Sequence, residues 1–182
     1  MEEIWGRIDS WLDSNAPLIL KDLSPGASED KIAEVESTLG IKMTDTLRQS
    51  FIIHDGQLGD RYPLLGDWNL LSLDDALEEW EVMRELYQSG SLEGEVEAAE
   101  GVQPSWWNLK WLPIAGNGSG DFYCADFDPT ELGTIGQIVE FLHVDTTRAK
   151  VADSLYDLLS NYAMSLENGL YKLRNNTLMK IG

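Results

Sequence analysis

The sequence predicts an α+β protein in which helices pack around a central antiparallel sheet. Three observations carry this prediction: helical apolar spacing in the first half, strand-like segments separated by turns in the second half, and one long amphipathic helix at the end. Helices that precede a run of strands, instead of alternating with them, are typical of the α+β class. A chain of 182 residues without an internal repeat predicts a single domain, residues 1–182.

Three helices are predicted in the first 56 residues. The first ends at Pro17, the second begins after the N-cap Ser28 and stops at Gly40, and the third is capped by Thr44 and ends at the Asp55–Gly56 turn. The apolar stripe of the first helix consists of Ile4, Trp5, Ile8, Trp11 and Leu12. Such a stripe predicts burial against a core.

A short strand and a fourth helix follow. Residues 66–73 resemble a strand, and Ser72 with Asp75 forms a capping-box pattern at the start of the helix. Its expected core face contains Leu77, Trp80 and Met83, and it ends near Ser89. Residues 91–104 are predicted to form a loop.

The second half predicts a meander of three or four strands. The strand candidates are residues 111–115, 121–127 and 137–144, and a glycine-rich turn at 116–120 joins the first two. A final helix has its apolar stripe at Val151, Leu155, Leu158, Leu159, Tyr162 and Leu166.

The charge balance is strongly acidic. Thirteen Lys and Arg stand against 32 Asp and Glu, for a net charge of −19. Phosphates of nucleic acids and anionic lipids would repel such a chain, so neither a nucleic acid nor a membrane is expected as a partner. A basic partner protein is the complementary expectation, and acidity that serves only solubility is the alternative.

Cysteine content and hydropathy predict a cytoplasmic protein. The single cysteine, Cys124, cannot form an internal disulfide. There is no apolar run of membrane-spanning length, and the N-terminus is acidic where a signal peptide is basic.

The sequence contains no convincing catalytic or metal-binding pattern. The glycines of 116–120 precede Asp121 and a strand, whereas a phosphate loop precedes a helix. His54 and His143 lack zinc-site spacing. We therefore expect no enzyme, metal or cofactor. The enzyme alternative would use Asp121, Asp126, Asp128 and His143.

The fourth helix supplies the candidate partner-binding residues. Between Asp74 and Glu100 there are ten acidic residues and one basic residue, Arg84. Like charges four residues apart destabilise a helix slightly, so their retention without compensation suggests a use, although a solvated face is the alternative. The predicted partner-binding residues are Asp74, Asp75, Glu78, Glu79, Glu81 and Glu85.

Tryptophan is the other unusual feature, with seven copies. Trp106, Trp107 and Trp111 cluster near two prolines, and packing inside the core is favoured over anchoring a partner. The sheet side and the Trp106–Trp107 region remain alternative interfaces.

Three blocks of the sequence together resemble the SUKH superfamily, which includes fungal cell-wall-assembly (glucan-synthesis) regulators and many bacterial immunity proteins. The first block is Leu23–Ser28 followed by Ile32, Glu36 and Leu39–Gly40; the second is Leu47–Phe51 with His54–Gln57; the third is Trp111–Ile114, Gly118, Gly120–Asp121, Asp126, Gly136–Ile138 and Ser154–Leu159. Met43–Thr44 departs from the Leu-Pro usual in the family.

The resemblance implies a single SUKH-like domain without catalytic activity. Our first expectation is an immunity protein that neutralises a cognate bacterial toxin by direct binding. The expected toxin is basic and encoded by an adjacent gene, and a nuclease is one candidate. The alternative is a regulatory or scaffold protein like the fungal members.

Overall fold

The computed structural model describes residues 1–59, 61–90, 94–174 and 177–181. Within these ranges the helices are α1 (Glu2–Asn15), α2 (Pro17–Asp22), α3 (Glu29–Leu39), α4 (Asp45–Ile53), α5 (Leu73–Gln88) and α6 (Leu155–Glu167). The strands are β1 (Asn69–Leu70), β2 (Glu97–Ala98), β3 (Trp111–Gly116), β4 (Phe122–Asp126), β5 (Gln137–Phe141), β6 (Thr147–Ala152), β7 (Tyr171–Arg174) and β8 (Thr177–Lys180).

Local signals set the helix ends as the sequence predicts. The Ser28 hydroxyl accepts from the Lys31 backbone N–H, and Gly40 ends α3 in the left-handed conformation at φ +61°. Thr44 caps α4 in the same way, by accepting from Leu47. Pro17 does end α1, but it also starts α2, a helix that the sequence analysis did not predict. Proline suits the first turn of a helix because its missing N–H has no helical acceptor there.

The main sheet has six strands in the order β1-β3-β4-β5-β6-β2. The predicted meander is its centre, because β3, β4, β5 and β6 pair antiparallel in sequence order. The sheet is nevertheless mixed, since β2 pairs parallel with β6 at its edge. The separate pair β7–β8 is antiparallel. The α+β class is confirmed.

Three assignments of the sequence analysis need correction. The 66–73 segment has strand pairing only at Asn69–Leu70. The 91–104 region, expected to be a loop, contains β2, while Ser91, Leu92 and Glu93 lie outside the described residues. Val151 belongs to β6 and not to the last helix, which begins at Leu155. Val151 lies four residues before Leu155 and so matches a helical spacing by coincidence. As a β-branched residue it is equally suited to a strand.

One hydrophobic core connects the helices with the sheet. The α1 helix packs on α2, α4 and α6, while α5 packs on β3. Every residue of β3 is buried, so both faces of this central strand are covered. Pro113 is tolerated there because the pairing with β4 shifts register beside it.

Candidate functional site

The acidic helix α5 begins with the predicted capping box. The Ser72 hydroxyl accepts from the Asp75 backbone N–H at 3.1 Å, and Asp75 Oδ2 accepts from the Ser72 backbone N–H at 3.4 Å. Asp55 Oδ1 accepts from the Leu73 backbone N–H at 2.8 Å. These bonds satisfy N–H groups that have no partner inside the helix, and they attach the start of α5 to the turn after α4.

One side of α5 holds it to the sheet. Ala76, Trp80 and Met83 are buried on this side, and Trp80 Nε1 donates to the Leu109 carbonyl at 3.1 Å. Leu77 is only partly buried, whereas Ala76, which was placed at the margin of the core, has no exposed surface.

The candidate carboxylates form two parallel stripes along α5. The first stripe, here called the acidic face, is exposed throughout and follows an i, i+4, i+7, i+11 spacing. It consists of Asp74, Glu78, Glu81 and Glu85. Asp75 and Glu79 belong to the neighbouring stripe, which continues through two exposed apolar residues, Val82 and Leu86. The six candidates therefore share one helix, but they do not share one surface.

The acidic face is partly compensated. Lys31 Nζ on α3 forms an ion pair with Asp74 and a second one, at 3.1 Å, with Glu34. The expectation that the Asp74–Glu78 repulsion is uncompensated is therefore wrong, because α3 supplies a cation that lies far away in the sequence. Within the described part of the chain, no Lys or Arg lies within ion-pair distance of Glu78, Glu81 or Glu85.

The second stripe borders a cleft of about 480 Å³. Asp75 and Glu79 line this cleft, here called the α5 cleft, together with Gly116, Gly118 and Gly120 of the 116–120 turn. Leu70, Leu71 and Phe122 contribute apolar surface, and Leu58 lies at the rim with 71% of its surface exposed. The cleft therefore combines carboxylates with apolar contacts.

The pKa of Glu79 in this cleft is shifted from its ordinary value. Partial burial raises its pKa, and the negative charges of Asp75 and Glu78 raise it further. Asp75 has one oxygen engaged, because Oδ2 accepts from the Ser72 hydroxyl at 2.7 Å. A cation entering the cleft would relieve both the repulsion and the incomplete solvation of Glu79.

The rest of the acidic segment has different surroundings. Glu95, Glu97 and Glu100 are exposed, and Glu97 lies in β2 opposite Thr147. Glu93 lies outside the described residues. The described acidic residues between Asp74 and Glu100 therefore belong to more than one element.

The structure does not assemble the enzyme alternative. Asp121 accepts from the His143 backbone N–H and pairs with its ring Nδ1, both at 2.8 Å. Asp126, at the opposite end of β4, accepts from Gln137 Nε2 at 2.8 Å and from the Asp128 backbone N–H at 2.9 Å. At about 3.3 Å per residue, the five steps from Asp121 to Asp126 place the two aspartates roughly 16 Å apart. Each one therefore stabilises its own turn.

Burial and hydrogen bonds act differently on these two carboxyl groups. Burial raises the pKa of Asp126 in spite of its hydrogen bonds. Burial also acts to raise the pKa of Asp121, but hydrogen bonds from His143 and Asn117 outweigh it and lower that pKa. Among the described residues, no group of three or more His, Cys, Asp or Glu side chains is arranged to hold a metal ion. None of the described helices combines the length and apolarity needed to cross a membrane.

The tryptophan cluster lies mainly in the core. Trp107 is buried and packs edge-on against Trp111 and Phe141, with ring centroids 5.8 and 5.2 Å apart. Trp106 is partly buried beneath the Arg148 guanidinium, 5.0 Å from its ring centroid. The predicted preference for core packing agrees with these contacts. Cys124 has no exposed surface, and its burial raises the thiol pKa well above the ordinary value.

Sequence reasoning missed the residues that shape the α5 cleft. The 116–120 turn was predicted to be a hairpin connection, and no functional role was predicted for Leu58 or Asn69. The alternation of the flanking strands does predict a turn at 116–120. Nothing local, however, indicates that this turn lines a cleft with Asp75 and Glu79, because residues so far apart in the sequence meet only in the folded chain.

Comparisons with known proteins point to fungal regulators. The chain is 29% identical, over 93% of its length, to the cell wall biosynthesis/cell cycle regulator smi1 of Schizosaccharomyces pombe. It is 24% identical over 95% of its length to a glucan synthesis regulatory protein of Neurospora crassa, and 22% identical over 93% to the cell wall assembly regulator SMI1 of Saccharomyces cerevisiae. The aligned regions span 36%, 40% and 41% of these relatives, well under half of each.

The family model for SMI1/KNR4 (SUKH-1) matches residues 26–161. This range runs from the turn before α3 to the middle of α6, and it includes α5, the α5 cleft and the four central strands. All three blocks that carry the resemblance in the sequence lie largely inside it. The match covers most of the chain, and the chain therefore belongs to the SMI1/KNR4 family (SUKH-1).

Proposed function

We propose that this chain is a non-catalytic regulatory module that acts by binding a basic partner protein through the acidic face of α5. The observation that carries the proposal is the row of exposed carboxylates at Glu78, Glu81 and Glu85, which lack cationic partners in the described structure. The relatives named above are described as regulators of the cell wall and of glucan synthesis, which supports a regulatory role over the toxin-immunity expectation.

The charge of the molecule supports a basic partner. A net charge of −19 raises the rate of encounter with a positively charged surface, and the effect weakens as salt screens it. A helix face with like charges at i, i+4 costs a few tenths of a kcal/mol per pair in the free protein. A bound cationic surface removes this repulsion, so the acidic face gains more from binding than a mixed surface does.

Charge reversal tests the proposal. The test variant is Glu78→Lys, Glu81→Lys, Glu85→Lys. The control, Asp13→Lys, Glu100→Lys, Glu131→Lys, makes the same change in net charge at exposed positions outside α5. Each tagged protein is expressed in the organism that encodes the chain, and the proteins captured with it are quantified. Captured candidates are then purified, and their direct binding is measured at several salt concentrations.

The expected result is a partner whose dissociation constant rises about tenfold or more with the α5 variant and less than about threefold with the control. A purified partner that binds the wild type and both variants equally would contradict the assignment of the acidic face. The toxin-immunity alternative has its own outcome. In that case the product of the adjacent gene would stop growth when expressed alone. Co-expression of the present chain would restore growth, and the two proteins would form a stable complex.

A further inference from the structure

The α5 cleft and the stripe that leaves it form a continuous surface beside the acidic face. The stripe consists of Asp75, Glu79, Val82 and Leu86, at i, i+4, i+7 and i+11. Its first two members line the cleft, and the last two are 53% and 40% exposed. With a rise of 1.5 Å per residue, the stripe is about 16 Å long. One end is anionic and lines the cleft, and the other end is apolar and exposed.

We propose that this stripe and the α5 cleft bind a basic amphipathic helix of a partner protein, with an arginine or lysine entering the cleft and apolar side chains covering Val82 and Leu86. The inference deepens the proposed function and rests on it, because it states the chemistry and the placement of the partner segment. Its evidence is separate, since it uses the stripe on the side of α5 adjacent to the acidic face.

The lining of the cleft fits a long cationic side chain. Leu70 and Phe122 offer apolar contact to the methylene groups, while Asp75 and Glu79 offer carboxylate oxygens to the charged end. Arginine and lysine place their methylene stems along apolar surface in this way. In the described chain no Lys or Arg forms an ion pair with either carboxylate. The two carboxylates can therefore pair with a cation supplied by a partner.

The geometry of the stripe favours a helix as the occupant. A second helix that presents side chains at i, i+4, i+7 and i+11 has the same spacing and the same length of about 16 Å. In an antiparallel orientation its basic residues lie in its last turns, where the helix dipole favours positive charge. Leucines in its first turns then contact Val82 and Leu86.

A designed peptide provides the probe. It is a helical peptide of about twelve residues with two leucines followed by two arginines at this spacing in an alanine and glutamine background. A matched peptide has glutamine at both arginine positions. Each peptide is titrated into the ¹⁵N-labelled 182-residue chain while backbone amide shifts are followed by NMR. The same titrations are repeated with Glu79→Gln and with Glu81→Gln, which remove one equal charge from the two different stripes.

We expect the amide signals of Leu58, Gly118, Gly120, Val82 and Leu86 to shift together. Glu79→Gln is expected to raise the dissociation constant of the arginine peptide about fivefold to tenfold, and Glu81→Gln to raise it less than about twofold. The glutamine peptide is expected to bind at least about tenfold more weakly. The amide spectrum of each free variant reports whether its fold is retained.

Two results would overturn the inference. One is the absence of saturable binding by the arginine peptide. The other is an equal effect of Glu79→Gln and Glu81→Gln, which indicates diffuse attraction to the whole helix. Either result leaves the acidic face testable by the charge-reversal variants. Conversely, peptide binding in the cleft combined with unchanged partner binding by those variants would reject the acidic face and retain the cleft.

Discussion

At the scale of single residues, several positions have roles that only their neighbours explain. Arg148 has no exposed surface, yet its guanidinium donates to the backbone carbonyls of Trp106, Asp145 and Thr147 and lies 4.7 Å from the Phe141 ring centroid. A buried cation is costly unless hydrogen bonds satisfy it. Burial lowers the pKa of Arg148, although the charge of Asp145 partly opposes this. Arg148 thereby joins β6 to the segment before β3.

Gly56 is a position where only glycine fits. Its φ is +73°, and a Cβ added there would lie 2.2 Å from the Ser72 backbone nitrogen. Gly66 has nearly the same φ, +74°, but nothing lies within 4 Å of such a Cβ. We expect Gly66→Ala to cost about 1 kcal/mol from backbone strain and Gly56→Ala about 2 to 4 kcal/mol from strain plus overlap. Urea denaturation of both variants measures the difference; equal losses would show that the contact with Ser72 is unimportant.

His54 should make stability depend on pH. Burial acts to lower its pKa. This effect is outweighed by the hydrogen bond and the negative charge of Asp9 and by the hydrogen bond to the Ser24 carbonyl, which together raise the pKa above 6.5. Because the folded value exceeds the unfolded one, this stabilisation is complete below pH 6.5 and is lost as pH rises through the folded pKa.

The His54 contribution can be separated from that of other groups. We expect the free energy of unfolding to decrease across this pH window in the wild type, and to decrease less in Asp9→Asn. NMR titration of the imidazole gives the pKa directly. A value at or below 6.5 in the wild type would contradict the assigned role of Asp9.

At the scale of elements, α5 combines a buried structural side with two stripes of side chains that lie outside the core. Its capping box and the Trp80–Leu109 hydrogen bond hold it in place. Its outer side, in contrast, carries repulsive pairs such as Glu81–Glu85, which a helix selected for stability alone would not need. The helix therefore has local interactions that oppose its own formation, and sites of binding are where such conflicts are expected.

Glu85→Lys should separate stability from binding. A lysine at position 85 forms a favourable i, i+4 ion pair with Glu81. It also places a positive charge near the C-terminal end of α5, where the helix dipole favours it. We expect a gain of about 0.5 to 1 kcal/mol in the free energy of unfolding, together with weaker partner binding. Glu85→Gln is the control and should show a smaller gain. A loss of stability in Glu85→Lys would show that Glu85 makes a structural contact.

At the scale of the whole molecule, a negatively charged surface surrounds one hydrophobic core. Helices on the sheet bury nearly all of β3, β4 and β5, and Tyr162 on α6 donates to the Leu64 carbonyl. The surface around this core carries the net charge of −19. Self-repulsion of such a surface destabilises the compact state.

Salt should therefore stabilise the protein. Between about 0.01 M and about 0.15 M ionic strength the screening length falls from about 30 Å to about 8 Å. We expect the melting temperature to rise by about 3 °C, equivalent to about 1 kcal/mol for a chain of this size. The α5 triple reversal has a net charge of −13, since each of its three reversals removes two units from −19, and should respond less. An equal response in both proteins would assign the salt effect to ion binding elsewhere.

Much of the helical architecture follows from the sequence, because its determinants act over a few residues. The caps at Ser28, Thr44 and Ser72, the left-handed Gly40 and the apolar stripe of α1 each depend on neighbours within about two turns. The order of the central strands was also predictable, since consecutive antiparallel strands usually pair with each other.

The remaining features were decided by tertiary structure. The parallel pairing of β2 with β6, the Lys31–Asp74 ion pair, the burial of Arg148 and the α5 cleft all join residues far apart in the sequence. No local propensity encodes such a contact, because its energy exists only after the intervening chain has folded. The sequence alone placed six acidic residues on one helix. The packing of α5 against the sheet then divided them into an exposed face and a cleft wall.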